Sequence, residues 1–419
     1  MYGNQLVSRW SGTAGSVIHL ILVAALISVP ARADIVIPGA DGSDGALNVT
    51  ANTTIDLSEA VSANWDTPSP QPGKGVYDAT KWAVVFKYSS VNIANGTTVS
   101  FKNHGSRAPV VWLVNGNVTI AGTVNLNGAN GIQGSTVLAE PGPGGFRGGA
   151  HGSSLATAGG PGFGPGGSNP HSDARGSGGS YATLGKTANI GRLYGNTLIV
   201  PLVGGSGGSD QPYIYDIGNG CGGGGAILIA ASGTISLTGT ITANGGNANE
   251  STDGSGGAIR LVATALAGSG RLSALGNDSG GEGRIRLETL SGGADLQMTP
   301  LSVIEQASDP VIIWLPETGP QCRIVSIGSN AAPADPRSEL GPLPADIRFY
   351  SAAPVPVVIE TKNVDTSAAK VTLLVRPRHG SGSNLDASYT SGDNNTALWT
   401  VELTIPQGYT AFQARVDPK

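Results

Sequence analysis

Gly224-Gly-Ala-Ile-Leu-Ile229, Gly256-Gly-Ala-Ile-Arg-Leu261 and Gly283-Arg-Ile-Arg-Leu-Glu288 are versions of one phrase, a glycine corner followed by a strand with aliphatic residues at alternate positions. The strands open at Ala226, Ala258 and Arg284, 32 and then 26 residues apart. A second phrase recurs beside the first. Val118-Thr-Ile-Ala-Gly-Thr-Val-Asn-Leu-Asn-Gly128 and Ile235-Ser-Leu-Thr-Gly-Thr-Ile-Thr-Ala-Asn-Gly245 agree position by position in character, and residues 266–276 form a looser copy. A unit this short cannot bury its own apolar face, but stacked units can. Like strands then lie over like strands about 4.8 Å apart, with Ile227, Ile229, Ile259, Leu261, Ile285 and Leu287 filling a shared interior. The expected fold class is therefore all-β: a right-handed parallel β-helix (solenoid) over residues 34–300.

Outward from this core the pattern loosens. Residues 82–87, 90–93 and 98–102 alternate like strands, and residues 34–80 read as an irregular opening cap over the first exposed edge. Residues 129–225 form a glycine-rich insertion, with 28 glycines in the 85 residues from Pro141 to Gly225. Such composition predicts loops, either functional or without a role. After residue 300 the composition shifts. Residues 301–346 read as a linker with the first strand of a new domain, and 347–419 as an antiparallel Ig-like β-sandwich with strands at 347–350, 357–362, 371–376, 398–405 and 411–416.

Arg9, the apolar run Val17 to Val29, and Ala31-Arg-Ala33 have the order of a secretory signal peptide over residues 1–33, with cleavage expected before Asp34. The apolar run is short of the roughly 20 residues that span a bilayer, and no later segment could span one. The expected location is secreted, periplasmic or cell-surface. Glycine is 65 of 419 residues and only 13% are charged, well below the usual ~25%, so neither a helical enzyme nor a charge-rich disordered chain fits. The net charge of −5 argues against nucleic acid as a partner.

No sequence motif forms a catalytic set. Matches to G-x-G-x-x-G are unavoidable in glycine tracts and lack the helix that a dinucleotide site needs. The mature histidines His104, His151, His171 and His379 have no metal-ligand spacing, and no cofactor is expected. Leu315-Pro-Glu-Thr-Gly319 matches the sortase pentapeptide but is followed by about a hundred strand-forming residues, so it reads as coincidence. Asp41 and Asp44 in Asp41-Gly-Ser-Asp-Gly45 are a weak calcium candidate against an Asx-turn. Cys221 and Cys322 are a disulfide candidate in an oxidising compartment. The stacked register places Arg260 beside Arg286 on the outer face, with Trp112 at an equivalent position and Asp253, Asp278 and Glu282 in adjoining turns. Together these six are the candidate ligand-binding residues.

The phrases at 224–229, 256–261 and 283–288 resemble exported, glycine-rich bacterial surface proteins with a pectate-lyase-like parallel β-helix, over about residues 85–290. The resemblance implies adhesion or contact with an extracellular polysaccharide or cell-surface component, and carries over no catalytic residues. The expected function is an exported scaffold or glycan-binding protein. The alternative is a lyase or glycoside hydrolase acting on an acidic glycan.

Overall fold

Alternating aliphatics that have no local partner must find one on another strand, and in the computed structural model they do. The structure describes residues 34–419 except 133, 134, 136, 153–158, 171–175, 188, 211–218, 249–251, 293, 294, 337–344 and 351. Among the described residues it is all-β, with no α-helix and one short 3-10 turn at Leu57–Glu59. The strands Ala226–Leu237, Ala258–Ala267 and Arg284–Ser291 are parallel neighbours, with Ile227 opposite Ile259 and Ile259 opposite Ile285. On the other side Ala226–Leu237 pairs in parallel with Val110–Val114, which pairs in parallel with Ala83–Ile93. One antiparallel contact, Val76–Asp78 against Ala83–Ile93, makes this sheet mixed. A second sheet stacks Thr53–Asp56, Thr98–Lys102, Thr123–Asn125, Thr240–Thr242, Arg271–Ser273 and Gln297–Thr299, all in parallel.

Between the two sheets lies a core that includes Phe86, Trp112, Val124, Ile229, Ile241, Leu261, Leu272 and Leu287. Asparagines continue the stacking at the corners: Asn117, Asn127 and Asn130 each accept, through Oδ1, the backbone N–H of a residue 117 positions later. The whole glycine-rich excursion is therefore looped out between two adjacent rungs without disturbing their register.

The first sheet is buried on its other face too. Ala226, Leu228, Ala230, Ala258 and Val262 are covered by Ile35 and Ile37 from the start of the described chain, Tyr181 and Ile199 from the excursion, and Val311 and Ile313. Strands covered on both faces read as continuous apolar runs. The strand Ile304–Gln306 pairs with residues 287–289, so the stack runs past residue 300, where the sequence placed its end.

The expected loops of the glycine-rich insertion are replaced by a packed bundle of extended rods. Its organisation is plainest in residues 220–225. Gly220 and Gly223 donate to Gly149 and Phe146 (3.0 and 2.9 Å), Cys221 and Gly224 to Thr252 and Ser255 (3.0 and 2.9 Å), and Gly222 and Gly225 to Ala129 and Leu126 (3.0 and 2.8 Å). Every third N–H thus reaches the same neighbouring rod. That is the three-residue turn of a polyproline-II helix, which has no internal hydrogen bonds and must find partners on other chains. None of the glycines among these six residues has a positive φ, as the left-handed form requires. Glycine is needed here for close approach: a Cβ on Gly223 would lie 2.0 Å from the carbonyl oxygen of Gly205, and one on Gly224 2.1 Å from that of Ala243.

Residues 321–418 supply two antiparallel sheets. One contains Gln321–Ile327, Val355–Lys362, Thr396–Leu403 and Ser388–Gly392; the other contains Ser383–Asp386, Ala369–Pro377 and Thr410–Pro418. Val357, Ile359, Val371, Leu373, Val375 and Trp399 share their core, and the Trp399 indole N–H donates to Thr361 Oγ1 at 2.9 Å. Residues 347–350, expected as a strand, are not one; Ile347 and Phe349 instead pack on this core as a covering segment. Residues 34–419 form one compact unit.

Candidate functional site

The outer-face arginines are register neighbours, as the repeat implied, with Arg260 opposite Arg286. They do not form an open ligand-binding face. Arg260 is 3% exposed, and its Nε and Nη2 donate to the two carboxylate oxygens of Glu288 at 2.8 and 3.3 Å. Arg286 Nε donates to the same carboxylate at 2.7 Å, and Arg260 Nη1 to the carbonyl of Ile312 at 2.8 Å. The covering segment around Val311 buries Arg260 and Glu288, and the partly exposed Arg286 also reaches Glu305 at 3.8 Å, so the charges of this cluster are spent on one another.

Trp112 is displaced by one position from the expected alignment. It pairs with Ile229, points into the inner core beside Tyr88 and Phe101, and is fully buried. Asp253 is also fully buried, accepting from Ala248 N (2.8 Å), Ser279 N (2.8 Å) and Ser279 Oγ (2.9 Å). Asp278 is exposed on a turn, and Glu282 is half-buried, with burial raising its carboxyl above the ordinary range. The six predicted residues therefore do not converge on one surface.

At the calcium and disulfide candidates, the Asx-turn reading holds at Asp41 and the two cysteines are unpaired. The Asp44 carboxylate is taken by the N–H groups of Gly73, Gly75 and Lys87, while Asp41 Oδ1 accepts from Ser43 N at 2.8 Å in an Asx-turn. Among the described residues no group of three His, Cys, Asp or Glu could hold a metal. Cys221 and Cys322 are both free thiols: Cys221 lies in the glycine bundle and Cys322 against the core of the antiparallel sheets. Burial pushes them up to about 11 and about 12.

A different set of residues meets at an opening. Along Ala369–Pro377, Val371, Leu373 and Val375 face the core, which turns Lys370, Thr372, Leu374 and Arg376 to the opposite face. Directly opposite partners in antiparallel strands share a face, so Asp386, Asn384, Arg415 and Asp417 join them. Lys370 pairs with Asp386 at 2.9 Å and Arg415 with Asp417 at 2.7 Å. Across from this face stand Pro165 to Asn169 and Ile190 to Arg192 of the glycine-rich excursion, leaving a cleft of about 270 Å³. Its edges are fastened by two hydrogen bonds between the Asn169 amide and the backbone of Gly382, and by Arg415 Nη2 donating to Leu193 O at 3.0 Å.

Arg376 is the unusual member. It is 4% exposed, with Nη1 donating to the carbonyls of Val375 and Ser383 (3.2 and 3.0 Å) and Nη2 to Asn384 Oδ1 (2.9 Å). Among the described residues its buried Nε–H has no acceptor and no carboxylate pairs with it. Burial lowers its guanidinium to about 10, leaving it charged at neutral pH. The sequence carried a partial signal for this site, since Lys370, Thr372 and Arg376 alternate with Val371, Leu373 and Val375 except where Leu374 intervenes; what faces that strand was not legible.

No protein-family model, curated protein or solved structure matches this chain.

Proposed function

We propose that the chain is an exported β-solenoid of the right-handed parallel β-helix kind, a rigid scaffold or binding protein whose Ig-like β-sandwich offers a glycan-binding cleft at the cell surface or outside the cell. The parallel register of three successive rungs supports the solenoid. The order of basic, apolar and small residues over 1–33 supports export, and cleavage before Asp34 would leave Ile35 and Ile37 in their apolar seats.

The observation that carries the binding reading is the cleft itself. Charged and amide side chains on a rigid three-stranded sheet face an opening there, whereas the outer-face arginines of the stack are sealed under the chain. Strand-mounted groups hold their geometry better than loop-mounted ones, and a small cleft with a few placed polar groups is the usual form of a small-ligand site.

A glycan array probed with the secreted protein, run beside an assay for unsaturated or hydrolysed product, tests this. Binding without turnover is the expected result. Turnover would make the protein a lyase or hydrolase, and the absence of any bound glycan would overturn the binding reading.

A further inference from the structure

The register of the second sheet lines up side chains that the sequence keeps far apart. Val99, Val124 and Ile241 are buried in the core between the sheets, so the residues on either side of them point outward. Thr98 is opposite Thr123, and Thr123 is opposite Thr240, which makes one outer column. Two places further along the same strands come Ser100, Asn125 and Thr242, facing the same way. All six are half-buried and none is charged. Charge stands only at the margins, in Arg271 opposite Thr240 and in the Lys102–Asp56 pair.

We infer that this face binds the surface of ice. Strands stack about 4.8 Å apart, and side chains on one face of a strand repeat about every 6.7 Å. Threonine is branched at Cβ and stiff at χ1, so its methyl and hydroxyl groups are held at these intervals. A small soluble ligand gains little from such a surface, because its sites are concave. A solid with its own two-dimensional period gains from every rung, and a face without charge is complementary to a neutral lattice. In a tetrahedral water network with O–H···O bonds of about 2.75 Å, next-nearest oxygens lie about 4.5 Å apart. That is within about 0.3 Å of the rung interval, a mismatch of about 0.6 Å across three rungs. Along its hexagonal axis the same network repeats about every 7.4 Å, against about 6.7 Å between the columns, a step taken only once. A crystalline polysaccharide offers broad C–H faces, whose natural partner is the large apolar area of an aromatic ring, and neither column has one.

Partition of the whole secreted protein, fluorescently labelled, between a slowly growing ice hemisphere and the remaining liquid provides the test. Incorporation into the ice is expected, where a protein without affinity for ice is pushed ahead of the front. Thr240→Lys, which sets a charge in the middle of the face, should cut the incorporated fraction roughly tenfold or more, since the ammonium would have to give up its hydration against a neutral lattice. Thr390→Lys, on an exposed strand of the antiparallel sheets, should enter the ice as the parent protein does. Both variants should melt at the parent's temperature, and should Thr240→Lys fail to fold, Thr98→Lys takes its place. Exclusion of the parent protein from ice would overturn the inference, and so would a folded Thr240→Lys or Thr98→Lys protein that enters ice as readily as the parent. Exclusion from ice together with retention on powdered crystalline cellulose would give the face to a polysaccharide lattice and overturn it equally. The cleft of the antiparallel sheets plays no part in these outcomes and is judged by the glycan array.

Discussion

The stacked strands and the glycine bundle lie side by side and solve the same problem by opposite means. In the stack, side chains do the packing: the backbone pairs along two edges, and Ile, Leu and Val fill the space between sheets. In the bundle the backbone does both. Each rod donates in three directions, and the absence of side chains lets carbonyl oxygens approach where a Cβ would sit. A stack therefore fails when atoms are removed, and a bundle fails when atoms are added.

Substitutions that add and remove atoms break this comparison most directly. Gly223→Val is expected to prevent folding, because the obstructing atoms are backbone of residues 205 and 206 and cannot rotate away. Ile229→Ala, six residues on, should leave a folded protein destabilised by about 2–5 kcal/mol. Gly105→Ala, with open space around it and no positive φ, should stay within about 0.5 kcal/mol. Expression of soluble protein and urea melting would check all three.

Charge burial separates the regions next. Glu288→Ala leaves the buried Arg260 without a carboxylate, while Arg286 keeps Glu305 at 3.8 Å, and should cost about 3–5 kcal/mol. Arg323→Ala, which removes an exposed pair with Glu360 in the antiparallel sheet, should cost about 0–1 kcal/mol. Equal losses in thermal melts would show that the stack's outer face is open to water.

The smallest effect is expected at the junction of stack and bundle, where Glu140 is clasped by Arg107 and Arg147. Burial by itself would raise its carboxyl, but the two guanidinium groups outweigh burial and hold it below its ordinary 4.5. A folded-state value below the unfolded one gives stability that is complete above about pH 4.5 and is lost as pH falls through the folded value. Glu140→Gln should flatten that part of the stability curve measured by acid titration, and an unchanged curve would remove Glu140 from the account.

Much of the stack was legible because its aliphatic phrases recur behind glycine corners, 32 and then 26 residues apart, so that Arg260 and Arg286 could be placed together from sequence alone. Trp112 was misplaced by one residue because Val110-Val-Trp-Leu-Val114 is apolar throughout: a strand buried on both faces has no alternation from which to read register. The sealing of the outer face was invisible for a different reason. Ile35, Ile37, Val311 and Ile313 arrive from distant parts of the chain and belong to no repeat. The bundle was the least legible part, since glycine offers no pattern of side chains from which a three-residue period could be recognised, and its hydrogen bonds join segments far apart in sequence.

Native-state amide hydrogen exchange tests most directly the claim that the glycine-rich segment is folded backbone. Protection of an amide reports both its hydrogen bond and the free energy of opening it. The amides of residues 220–225 are expected to exchange as slowly as those of Ile227 to Ala230 in the adjoining strand. Exchange of residues 220–225 at the rate of an unfolded chain, with the strand still protected, would contradict the account.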